Sequence, residues 1–203
     1  MVTGPFQENT FIITDSVTGE AVFIDPGDDS DILISEINKS NLHPLAIINT
    51  HAHIDHIGAV FRLQSEWNIP FYLHKNEQMV LDTFEQTRRL FGLPVSEKPN
   101  VDYWIDSEED LEIGPFHFEV MFTPGHTPGG ITFIIEEHVF SGDTLFNGSV
   151  GRTDLPGGDW NTLKSSLKKM IEQIDSKMII HSGHGSNTTM GREQLENPFL
   201  IRL

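Results

Sequence analysis

Thr50-His51-Ala52-His53-Ile54-Asp55-His56 puts four side chains able to bind a metal within six residues, His51 to His56. The segment follows at once on the apolar run Leu45–Ile48, which reads as a buried strand, and precedes Ile57 to Trp67, whose apolar spacing is helical. It is therefore expected at the turn from strand to helix. In an extended chain side chains alternate, so His51 and His53 point to the same face and one ion can take both imidazoles. As the backbone winds into the helix, Asp55 and His56 are re-aimed and can serve a second ion nearby. Imidazole with carboxylate suits zinc, iron or manganese. A single histidine is ordinarily structural or exposed, but three histidines and an aspartate at this spacing are not ordinary.

Three more polar residues occupy the same kind of place. His126 lies in Thr123-Pro124-Gly125-His126-Thr127, Asp143 in Ser141-Gly142-Asp143-Thr144, and His184 in Gly183-His184-Gly185, each just after a strand-like run. Loops at strand ends, held by a rigid scaffold, are where reactive groups concentrate, and flanking glycines allow close approach to a metal.

Working outward, Asn9–Ile13 and Ala21–Ile24 read as a hairpin that stops at Asp25-Pro26-Gly27. Ser30–Ser40 has apolar residues at helical spacing, with Ser30 as the expected N-cap. Phe71–Leu73 is a short strand, Glu77–Leu90 a helix, and Gly92–Glu109 a looser, Pro-containing acidic stretch. Strands are expected at His117–Phe122, Ile131–Ile135, His138–Phe140 and Met178–Ile180, and helices at Trp160–Ile174 and around Glu193–Leu195. No repeat of 20 to 50 residues is visible. Strands alternating with helices, polar clusters always following a strand, imply a layered α/β architecture with helices outside two sheets.

Composition narrows the chemistry. The length of 203 residues suits one domain. With no cysteine, disulfides, thiolate ligands and a cysteine nucleophile are excluded, so any metal must be held by histidines and carboxylates. Thirty acidic against 13 basic residues give a formal charge of −17, a field that repels nucleic acid. No apolar run approaches the roughly 20 residues that span a bilayer. The opening MVTGPFQEN lacks the pattern of a signal peptide. A cytoplasmic protein without membrane or nucleic-acid partners is expected.

With these motifs in view, the chain resembles the metallo-β-lactamase-fold hydrolase superfamily, and within it the short glyoxalase II-like (hydroxyacylglutathione hydrolase-like) branch. THAHIDH matches the His-x-His-x-Asp-His signature, and TPGHTPGG, FSGDTLF and SGHG match the next three motifs in order. NTFIITD and FIDPGD at the start and TTMGREQLENPFL at the end extend the likeness over nearly the whole chain. The resemblance implies a four-layer αββα sandwich. It places His51, His53 and His126 on one metal, Asp55, His56 and His184 on the second, and Asp143 between both. It further implies a hydrolase in which hydroxide held between two divalent ions, zinc or else iron or manganese, attacks the carbonyl of a thioester or ester. On the same resemblance Asp143 and Asp55 are the expected catalytic carboxylates, Asp55 helping to orient the nucleophile.

The substrate expected on this basis is a small thioester or ester such as an S-acyl-glutathione. Longer glyoxalase II enzymes carry a C-terminal helical region that grips glutathione. Here residues 185–203 are all that follow His184, so one domain spanning 1–203 without that region is expected, and its opening strand is expected to be curtailed. Arg152, in GRTD, is the candidate anion clamp, with Arg88 and Arg89 as weaker ones. Rival activities are a mono-iron persulfide dioxygenase, which shares these motifs, then a lactonase or a nuclease of the same superfamily. The β-lactamases that use a cysteine ligand are disfavoured. His43, His74, His117 and His138 are expected on the surface or on strands, and His181 facing away from the centre.

Overall fold

The structure is a computed structural model that describes residues 1–94 and 96–203; Val95, inside the stretch read as loose, lies outside them. In chain order the elements are β1 (Val2–Thr3), β2 (Glu8–Asn9), β3 (Phe11–Thr14), β4 (Glu20–Ile24), α1 (Ser30–Lys39) and β5 (His43–Ile48). Then come α2 (Ile54–Ile57), α3 (Val60–Trp67), β6 (Phe71–His74), a 3-10 turn at Lys75–Glu77, α4 (Gln78–Asp82), α5 (Phe84–Leu90), β7 (Tyr103–Ile105) and β8 (Leu111–Ile113). The second half contributes β9 (Phe116–Phe122), β10 (Ile131–Ile135), β11 (His138–Gly142), β12 (Leu145–Phe146) and β13 (Ser149–Val150). It closes with α6 (Trp160–Gln173), β14 (Ile179–Ser182), β15 (Thr188–Thr189) and α7 (Met190–Glu196).

Two sheets form the centre. One has the order β3-β4-β5-β6-β7, the other β15-β14-β11-β10-β9-β8. Neighbouring residues of one strand point to different layers, as the period of two demands. Val22 and Ile24 enter the core between the sheets with Ala46, Ile48, Phe118 and Phe133. Phe23 and Ile47, between them in sequence, face outward and are covered by Leu33 and Ile37 of α1 and Leu63 of α3. On the far side, Ile134 and Val139 pack under Leu163, Leu167 and Met170 of α6. Strands buried on both faces must be apolar throughout rather than alternating, which is why AVFI and LAII are unbroken runs. The result is the αββα sandwich.

Several boundaries differ from expectation. Ser30 is the first residue of α1, not its cap. Asp29 occupies the cap position in a left-handed conformation (φ 52°), and no side chain closes the helix end. The first helix after the histidine motif begins inside it, at Ile54, and a break at Gly58–Ala59 separates it from α3. The helix expected over Glu77–Leu90 is interrupted at Thr83. The acidic stretch contains β7, which joins the first sheet by parallel pairing with β6. Two of its three residues are exposed, so its sequence carries no burial pattern to betray it.

Topology decides where the loops meet. The first sheet is parallel from β4 through β7, while β11 and β14 run parallel in the second. The segments after β4, β5, β9, β11 and β14 therefore leave from one edge of the sandwich. At that edge the Ile131 amide donates to the Thr50 carbonyl (2.9 Å), tying the sheets together.

Candidate metal centre

His51, His53 and His126 converge so that one ring nitrogen from each lies within 4.8 Å of the others, and Asp55, His56 and His184 form a second such group. Their positions follow from the backbone. His53 is extended (φ −65°, ψ 149°), and Asp55 and His56 lie in the first turns of α2, so the chain bends between the pair that serves one group and the pair that serves the other.

Asp143 sits between the groups. Its Oδ1 is 3.4 Å from His56 Nε2, and its Oδ2 is 3.5 Å from His126 Nε2 and 3.7 Å from His184 Nε2. Two glycines make this approach feasible. Gly142 holds φ +48° and its missing Cβ leaves room for the Thr50 side chain; a Cβ at Gly183 would collide with Asp143 Oδ1 and the His56 ring.

Hydrogen bonds orient the rings. The Arg152 carbonyl accepts from His126 Nδ1 at 2.7 Å; a carbonyl cannot donate, so Nδ1 carries the proton and Nε2 presents a lone pair to the centre. His56 Nδ1 donates to Asp25 Oδ2 at 3.0 Å, which leaves its Nε2 facing Asp143. A carboxylate behind the imidazole is the usual arrangement for a metal-binding histidine. His184 Nε2 lies 3.3 Å from Asp55 Oδ2.

The donor set fits divalent ions on an observation independent of family likeness. His51 Nε2, His56 Nε2 and Asp143 Oδ1 are buried side-chain atoms with no hydrogen-bond partner among the described residues. Leaving such groups unmade is costly, and all three point where a cation would satisfy them.

Protonation is consistent with that. Burial and the neighbouring histidines push the His51 pKa well down, and burial with His126 lowers His53 to about 3. Burial also lowers His126. All three are neutral imidazoles near pH 7, the form that binds metal. Burial works against the charge on Asp55, yet the His184 hydrogen bond and the charge of His56 carry its pKa below the usual carboxylate range. Burial likewise opposes a charge on His56, but Asp143 and Asp25 lift its pKa well above the ordinary value. A cation taking up the same carboxylates would displace that proton.

Other positions serve the frame. Asp25, read from sequence only as part of a turn, accepts from the Thr50 amide (2.7 Å) and hydroxyl (2.6 Å) as well as from His56. The available signal was an acid ending an apolar strand on the ligand-bearing edge. Asn9 Nδ2 donates to the carbonyls of Ser182 and Gly185, both at 2.9 Å, on either side of His184. Glu8 is buried, accepts from the hydroxyls of Thr3 and Thr10, and burial pushes its pKa up to about 9.

Each of the three candidate clamps has a partner, although Arg88 Nη1 is a buried donor with none among the described residues. The Arg152 guanidinium makes a bidentate pair with Asp154, both bonds 2.7 Å, at an exposed position. Arg88 is buried, donates to the Pro94 carbonyl and lies over the Phe84 ring, and Arg89 pairs with Glu85. His43 and His117 are exposed, while His74 is buried at the end of β6. His181 turns away from the centre, with Nε2 2.9 Å from His138 Nδ1 and its ring stacked on Phe140.

A family model described as the metallo-beta-lactamase superfamily matches residues 3–184. The chain belongs to that superfamily. It is 38% identical to the hydroxyacylglutathione hydrolase GloC of Haemophilus influenzae over 96% of its own length and 93% of the relative's. Among solved structures it superposes on the BLEG-1 B3 metallo-beta-lactamase with a TM-score of 0.91, at 42% identity over 98% of this chain and 97% of that one. It also matches TTHA1623 in a di-iron-bound form, with a TM-score of 0.89 and 39% identity over 98% of each chain. The family and the Haemophilus influenzae relative support a metal-dependent enzyme of hydrolytic type. Among the described residues no helix is long and apolar enough to cross a membrane.

Proposed function

We propose that the chain is a two-metal hydrolase of thioesters, glyoxalase II-like, with residues 1–203 acting as one catalytic domain in the cytoplasm. The observation that carries this reading is the meeting of two ligand groups on the Asp143 carboxylate, with unpartnered histidine nitrogens on both sides of it. His51, His53 and His126 would hold one divalent ion and Asp55, His56 and His184 the other, Asp143 contributing to both. Zinc suits the donors, and iron is supported by the di-iron-bound relative. Two divalent ions held there would supply a water ionised near neutral pH and a Lewis acid for the developing oxyanion.

The rest falls to the protein's own side chains. Asp55, kept ionised, can accept a hydrogen bond from the attacking nucleophile and help fix its direction toward the carbonyl carbon. The neutral rings of His51 and His126 are oriented from behind, by the Thr50 hydroxyl and the Arg152 carbonyl. A thiolate leaves without a strong general acid. The likeness to the Haemophilus influenzae hydroxyacylglutathione hydrolase supports an S-acyl-glutathione as the substrate class.

With Arg89 and Arg152 paired to carboxylates, Arg88 buried and a charge of −17, little remains to grip an anionic tripeptide. Hydrolysis of S-lactoylglutathione is therefore expected to be measurable but with a high KM, because remote binding energy is small. Saturation kinetics on several acyl thioesters test this. A second reading, β-lactam hydrolysis, is favoured by the 42% identity to a structure named as a B3 metallo-beta-lactamase, and a cephalosporin belongs in the same assay. Faster turnover of the cephalosporin than of any thioester would replace the first reading by the second. Absence of thioester hydrolysis together with oxygen uptake on glutathione persulfide would make the chain a dioxygenase.

Arg152→Ala gives a smaller effect. Asp154 already holds the guanidinium, and the backbone carbonyl that orients His126 survives the substitution. KM for an anionic thioester is expected to change by less than about fivefold, the scale of an exposed ion pair. A tenfold or greater rise in KM with kcat unchanged would instead make Arg152 the carboxylate clamp.

A further inference from the structure

Glu77 lies in the 3-10 turn after β6, far in sequence from every candidate ligand, and is fully buried. Its two carboxylate oxygens divide their work. Oε2 accepts from the Ala52 amide at 2.8 Å, and Oε1 accepts from the Gly129 amide at 2.7 Å. Ala52 sits between His51 and His53, while Gly129 closes the turn that carries His126. One side chain thus ties together the two loops that bring the three histidines to one point. Gly129 is packed so tightly that a Cβ there would come within 2.9 Å of Glu77 Cγ and 2.6 Å of the His74 ring, so a larger residue could not sit there without moving the turn. Among the described residues nothing comparable links Glu77 to the Asp55–His56–His184 group, whose loops are held by Asn9 and Asp25.

We propose that Glu77 is the positioning residue of the three-histidine site, setting the spacing of the His51–His53 and His126 loops and hence that site's metal affinity, without acting on the second site. The inference rests on the ligand partition proposed above. Burying a carboxylate is expensive, and it is offset here by two amide donors that would otherwise be unpaired inside the protein. Both amides need an acceptor. A glutamine would offer one oxygen and one amide group, so one of the two N–H groups would face a donor. An aspartate would keep the charge but fall short of spanning both loops.

The test separates the sites by metal binding alone. Metal-free protein is titrated with cobalt(II), followed by visible absorption, in two backgrounds: His184→Ala, which keeps the three-histidine site, and His53→Ala, which keeps the other. Adding Glu77→Gln is expected to weaken cobalt binding on the order of 10–100-fold in the first background, the usual cost of losing a group that orients ligands, and to change it less than about twofold in the second. Glu77→Asp, which conserves the charge and threatens folding less, should show the same selectivity. Equal weakening in both backgrounds would mean that Glu77 only stabilises the fold, and unchanged affinity in the first would remove its role; either overturns the proposal. If the His184→Ala protein alone still binds two cobalt ions at full affinity, the ligand partition itself fails and the assignment of Glu77 to one site falls with it.

Discussion

Asp143→Ala is expected to abolish turnover, with a loss on the order of 10³-fold or more, comparable with removing an electrostatic group aimed at the reacting atoms. Bound metal should fall from two ions per chain toward one or none. The reason is geometric. Asp143 places an oxygen within 3.5 Å of both His56 and His126, so its removal opens both groups at once. It also leaves the buried nitrogen of His56 without the carboxylate it faces. Metal analysis of the dialysed variant beside its thioesterase rate decides the matter. Near-wild-type turnover with two ions bound would remove Asp143 from the centre.

His184→Ala and His53→Ala are expected to strip different ions. His184 lies beside Asp55 and Asp143 and is 30% exposed at its side chain, so its loss should empty the second site and leave the first largely occupied. His53 Nδ1 lies 2.9 Å from His126 Nε2, so its loss should empty the first. Activity should collapse in both, because the proposed nucleophile needs both ions. His56→Ala is the less clean probe of the second site. That ring is fully buried and donates to Asp25, so truncation also costs roughly 1–3 kcal/mol through an unsatisfied buried acceptor. If His184→Ala emptied both sites as thoroughly as His53→Ala, the division of ligands would be wrong. Retention of both ions in either variant would show that the mutated histidine is no ligand.

The histidine motif, the loop glycines and the absence of cysteine were enough to nominate His51, His53, Asp55, His56, His126, Asp143 and His184, because metal chemistry restricts the residue types and the period of two restricts their directions. The unbroken apolar strands announced a sheet buried on both faces for the same local reason. Everything that depends on partners distant in the chain lay outside that reading. Asp25 looked like a turn until its carboxylate met Thr50 and His56. Glu77 looked like one more helical acid until its two oxygens were found holding Ala52 and Gly129. Arg152 was read as a candidate anion clamp, and the sequence alone did not show that Asp154 holds its guanidinium. A ligand can be recognised from its own chemistry and its neighbours in sequence. The role of a supporting residue is decided by which donor stands opposite it, and only the packing of the two sheets brings that donor there.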